Sequence, residues 1–66
     1  ASTSELGEIR YLLEFAIDKE KEAQKKYKLL SKSVDDEKLK VIFNNIAKQE
    51  KCHEATLSEQ LKTIFG

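Results

Sequence analysis

Two long stretches with apolar residues every three or four positions, joined across one short break, leave this chain few folds to choose from. Steps of three and four follow the 3.6-residue period of an α-helix, and no proline occurs to interrupt one. In the first stretch, residues 5–31, the series runs Leu6, Ile9, Leu13, Ala16, Ile17, Ala23, Tyr27 and Leu30. In the second, residues 34–65, it runs Leu39, Ile42, Phe43, Ile46, Leu57, Leu61 and Ile64. No strand-like alternation appears. The prediction is an all-α, antiparallel helical hairpin over residues 1–66, with its turn at about 32–34, since helices joined by so short a loop must lie side by side.

The boundaries follow from local chemistry. Ala1 to Ser4 read as a frayed leader outside the functional argument, with Ser4 an N-cap for the first helix. The serines of Ser31-Lys32-Ser33 break the period and stop that helix. Ser33, followed three residues later by Asp36, reads as a capping box, while Asp35, Asp36 and Glu37 suit the positive end of a second helix. Off the apolar seams, Asp18, Lys19, Lys21, Glu22, Lys25 and Lys26 read as a solvated face with pairs such as Glu22 to Lys26.

A hairpin of 66 residues is short of core. A chain of this size buries only about 60% of the surface its unfolded form exposes, so a metal, a partner chain, or both are needed to hold it. An internal disulfide is excluded because Cys52 is the only cysteine. Val41, Ala47 and Phe65 widen the apolar surface of the second stretch beyond what one neighbouring helix covers, and two such hairpins would complete a four-helix bundle. The expected partner is a second copy.

Composition removes other classes. Twelve basic and twelve acidic side chains cancel, which argues against nucleic acid and against an anionic membrane surface as partners. No apolar run approaches the length of a membrane span and no secretory signal is present, so the expected location is cytoplasmic. One free thiol agrees with a reducing compartment.

Three seam positions are polar. Glu20 falls in the first series, three after Ile17 and three before Ala23, and Glu50 and His53 follow Ile46 in the second. Residues equally far from the turn of an antiparallel hairpin stand at one height, and Glu20 and Glu50 are each fifteen residues from Asp35. They meet roughly 22 Å from the turn, at a rise of about 1.5 Å per residue. His53 is one helical turn beyond Glu50 on the same face. The three are therefore predicted to converge at mid-length on the apolar side.

If two hairpins pair with their turns at opposite ends, only a mid-length site meets its own copy. The dimer would then gather four Glu and two His, from two single-Glu helices and two Glu-x-x-His helices. Four carboxylates balance two divalent cations, whereas four buried without metal must protonate or repel. Oxygen-rich donors with one imidazole per ion suit iron or manganese, and zinc would also bind.

The segment Ala16 to Leu57, with Glu20, Ala23, Tyr27, Leu39, Ile42-Phe43, Ile46-Ala47, Glu50-x-x-His53 and Leu57, resembles the di-iron domain of rubrerythrins and the wider ferritin-like superfamily. The thirty-residue interval from Glu20 to Glu50 and the single helix pair are similar to half-size members, including encapsulated ferritins, which build the centre across a subunit interface. The resemblance implies Glu20, Glu50 and His53 as ligands, Glu50 as the bridging carboxylate, and Tyr27 beside the site in a hydrogen-bonding or redox role. It implies an iron-dependent oxidoreductase, a ferroxidase or a protein reacting with O2 or peroxide. These residues contain no Cys-x-x-Cys pair, so the resemblance does not extend to a rubredoxin-like electron-transfer domain. The reading from a different class is a metal-free homodimeric helical interaction module, whose polar seam residues set register. Cys52 points off the seam and reads as structural or incidental.

Overall fold

The computed structural model describes residues 3–66 as two helices, α1 (Thr3–Ser33) and α2 (Glu37–Phe65), forming an antiparallel hairpin 52 Å long and 15 by 12 Å across. No strand is present among the described residues.

The turn falls slightly later than expected. Ser31 and Ser33 do not break α1, because each hydroxyl donates to a carbonyl of its own helix: Ser31 to Lys28 at 2.6 Å and Ser33 to Leu29 at 2.8 Å. The backbone N–H of Val34 still reaches the Leu30 carbonyl, and the turn is Val34, Asp35 and Asp36. The cap of α2 is Asp36 rather than Ser33. Its backbone is extended, and its carboxylate accepts from the N–H of Lys38 at 2.8 Å and of Leu39 at 3.3 Å. An ionised acceptor opposite two orphan donors outcompetes a hydroxyl already engaged in α1.

At the other end, α1 is already helical at Thr3, so Ser4 lies within the first turn rather than capping it, and Glu5 supplies the negative charge there. The frayed-leader reading of Ala1 and Ser2 lies outside the described residues. On the solvated face Glu22 pairs with Lys19 at 3.4 Å rather than with Lys26, whose ammonium sits 5.9 Å from the Tyr27 ring centre.

Two helices alone enclose very little. Among the described residues, the buried apolar side chains are Ile17 and Ala47, at 8% and 9% exposure. Leu13, Ala16, Ala23, Tyr27, Leu30, Phe43, Ile46, Leu57 and Leu61 are half-buried. Ile9, Leu12, Leu39, Ile42 and Ile64 are exposed, and the helical period sets them on one side of the pair. That side is an open apolar face running the length of the hairpin, and a second layer of helix is what such a face ordinarily packs against.

Not all exposed apolar residues belong to it. Tyr11, Phe15, Leu29 and Val41 point outward, where Tyr11 stacks on Phe15 at 6.3 Å and Lys19 covers Phe15 at 5.3 Å. Phe65 is half-buried under the Arg10 guanidinium, 5.6 Å from its ring centre. None of the described helices is long and apolar enough to cross a membrane.

Candidate metal centre

Glu20 leaves the middle of α1 and Glu50 the middle of α2, and the hairpin holds them at one height as the register predicts. His53, one turn on, closes the group. One ligand atom from each lies within 4.8 Å of the others: His53 Nδ1 is 3.6 Å from Glu20 Oε2 and 3.7 Å from Glu50 Oε1.

The environment is uneven. The Glu20 and Glu50 side chains are 22% and 21% exposed, whereas His53 is 60% exposed and stands at the edge of the open apolar face. Glu20 Oε2 is buried and accepts no hydrogen bond. An ionised carboxylate oxygen withdrawn from water without a donor is costly, so the group calls for a proton or a cation. The Glu50 carboxyl is held above its ordinary range, first through hydrogen bonding with the Glu20 side chain, then through burial and through the Glu20 charge, while His53 works the other way.

Two carboxylates and an imidazole with an orphaned oxygen among them fit a divalent cation. Each side chain can give one atom to the same ion, and the cation would answer Glu20 Oε2 and the like-charge pair together. The donor set is hard and contains no thiolate. Cys52, adjacent to His53 in sequence, is an exposed free thiol outside the group.

Tyr27 is half-buried two turns along α1 from Glu20, and its ring stacks on Phe43 at 6.2 Å. Two polar residues beside the centre escape the seam pattern: Gln24 Nε2 donates to Glu54 Oε1 across the helix pair at 2.6 Å. Both are half-buried, and they are separated by the same thirty residues as Glu20 and Glu50, which is the sequence signal that could have found them. Away from the cluster, Gln24, Lys28, Asn44, Lys48 and Lys51 surround an open groove of about 350 Å³ floored by Ala47.

A hairpin presenting one Glu from α1 and Glu-x-x-His from α2 has the fold and side-chain pattern of a ferritin-like, rubrerythrin-type domain of half size. The family model described as Rubrerythrin matches residues 11–66, and the chain belongs to that family. No curated protein and no solved structure matches it.

Proposed function

We propose that the chain is a di-iron carboxylate protein whose centre forms between two copies, turns at opposite ends, around a two-fold axis passing through the Glu20, Glu50 and His53 group. The observation that carries this reading is the place of that group, its two carboxylates half-buried, one oxygen orphaned, at mid-length of an open apolar face. A second copy laid on that face would bring four Glu and two His together, and two divalent cations would neutralise the four carboxylates.

Iron bound there would supply redox chemistry toward O2 or peroxide. The chain's own residues would do the rest. Glu50, whose Oε1 is 3.7 Å from His53 Nδ1 and which lies on the helix opposite Glu20, would be the carboxylate shared between two ions. Glu20 and His53 would complete each ion. Ile46 and Leu57, half-buried one turn to either side of Glu50 and His53 and covered further by the second copy, would keep bulk water from the centre and confine the reaction to small oxidants. The reading is a ferroxidase or a peroxide-reactive oxidoreductase.

The same apolar face would also serve a metal-free homodimer. The buried, unpartnered Glu20 oxygen counts against it, because a register-setting carboxylate should find a donor. Anaerobic Fe(II) titration followed by sedimentation and then exposure to air separates the two. Two irons per dimer, a raised melting temperature and a near-ultraviolet oxygen-to-iron charge-transfer absorption are expected. A dimer that binds no iron and melts at the same temperature with and without it would leave only the interaction module.

A further inference from the structure

The Gln24 to Glu54 hydrogen bond lies where a brace for the metal centre would be built. Glu20 and Glu50 each stand fifteen residues from Asp35, at one height on the hairpin. Gln24 is eleven residues before Asp35 and Glu54 nineteen after it, a mean of fifteen. Helical side chains lean toward their own N-terminus, so Gln24 leans away from the turn and Glu54 toward it. Their 2.6 Å contact therefore crosses the helix pair diagonally at the height of the cluster. Each is one turn on from a cluster carboxylate and rotated toward the groove side, so the bond runs behind the centre, away from the open face.

Something must fix that height. Antiparallel helices resist sliding through interlocked core side chains, and here only Ile17 and Ala47 are buried among the described apolar residues. The half-buried seam, the Tyr27–Phe43 stack and Arg10 over Phe65 add contacts that are less directional than a hydrogen bond. The ion pairs Arg10 with Glu14, Lys19 with Glu22, and Lys40 with Glu37 all stay within one helix, and the pair that crosses, His53 with Glu20 at 3.6 Å, belongs to the cluster whose height is to be set. A slip of one residue moves Glu20 about 1.5 Å past Glu50 and His53, far outside the roughly 0.2 Å tolerance of metal-ligand distances. A short hydrogen bond to an ionised acceptor is directional and breaks on such a slip.

We propose that Gln24 and Glu54 are positioning residues that lock the register of α1 against α2 and thereby set the geometry of the Glu20, Glu50 and His53 group. The proposal deepens the metal reading above and rests on it for its purpose, but the register lock itself exists without metal. Gln24 suits the task because a neutral amide donates to Glu54 without adding a cation behind a site that must attract one. The contact has a direction that can be reversed, since Glu at 24 and Gln at 54 would form the same bond from the other side.

The test uses the whole chain in four forms: wild type, Gln24→Ala, Glu54→Gln, and the swapped double variant Gln24→Glu with Glu54→Gln. Spin labels on Cys52 and on a cysteine placed at Lys25, diluted into unlabelled protein without metal, report the spread of distances between the helices. Co(II) affinity and its visible spectrum report the geometry of the metal group. Gln24→Ala should broaden the distance distribution, weaken Co(II) about tenfold, in the range set by residues that support metal ligands, and alter the spectrum. Glu54→Gln should fall between, and the swap should restore all three readouts to near wild type. A folded Gln24→Ala protein with the wild-type distance distribution, or a swap no better than the single variants, would overturn the lock. Wild-type protein that takes up no Co(II) would instead sink the metal reading, and the metal-free distances would still decide the lock.

Discussion

Glu20 and Glu50, thirty residues apart in the chain, face each other across the hairpin with His53 Nδ1 within 3.7 Å of both. Two acids in that position compete for one proton. The consequences are measurable without knowing the reaction.

The first concerns acidity. Glu50 titrates above its usual 4.5, so the folded chain holds that proton more tightly than the unfolded one. The Glu50 contribution to stability is full below pH 4.5 and is lost as pH rises through the raised value. In chelator, the melting temperature should therefore carry a component that falls with rising pH just above 4.5. Glu50→Gln should remove that component and raise the metal-free melting temperature at neutral pH. A variant that melts lower than wild type at pH 7 would count against a repelling pair.

His53 is the most exposed of the three and contributes little packing. His53→Ala should leave the helical circular dichroism and the metal-free melting temperature nearly unchanged while weakening Fe(II) or Co(II) binding at least tenfold, roughly the least expected when a supporting group is lost. Unchanged affinity by calorimetry would remove His53 from the ligand set.

The open face makes a prediction about mass. Ile42 lies on it and Val41, its neighbour, points outward, and both are exposed in the single hairpin. Ile42→Glu should shift sedimentation toward the monomer and abolish metal-dependent stabilisation, whereas Val41→Glu should change neither. Equal effects at the two positions would mean that the face is not where copies meet.

Capping supplies an independent check on the turn. Asp36→Ala removes two hydrogen bonds to the start of α2 and should cost about 1 kcal/mol in denaturant unfolding at fixed protein concentration. Ser33→Ala, which loses one bond back to Leu29, should cost clearly less. The reverse order would restore Ser33 as the cap.

The helical hairpin was legible because two uninterrupted stretches with a 3.6-residue period admit little else, and the cluster was legible because polar residues in an apolar seam are conspicuous and antiparallel register is arithmetic. The end of α1 was not. Serine is a turn residue or a back-bonded helix residue depending on which carbonyl its hydroxyl finds, and only the folded chain shows Ser31 and Ser33 bonding Lys28 and Leu29. Gln24 and Glu54 went unread because polar residues beside a seam look solvated until a partner stands opposite.

By itself, then, the sequence determined the two helices, their antiparallel order and the height at which Glu20, Glu50 and His53 meet, all of which follow from helix period and distance along the chain. Tertiary structure alone decided which of those atoms lacks a partner, which side chain caps α2, and that a diagonal hydrogen bond crosses behind the cluster. Those depend on the rotation of each helix about its axis and on the reach of single side chains, quantities that a periodic pattern leaves open by tens of degrees and several ångströms.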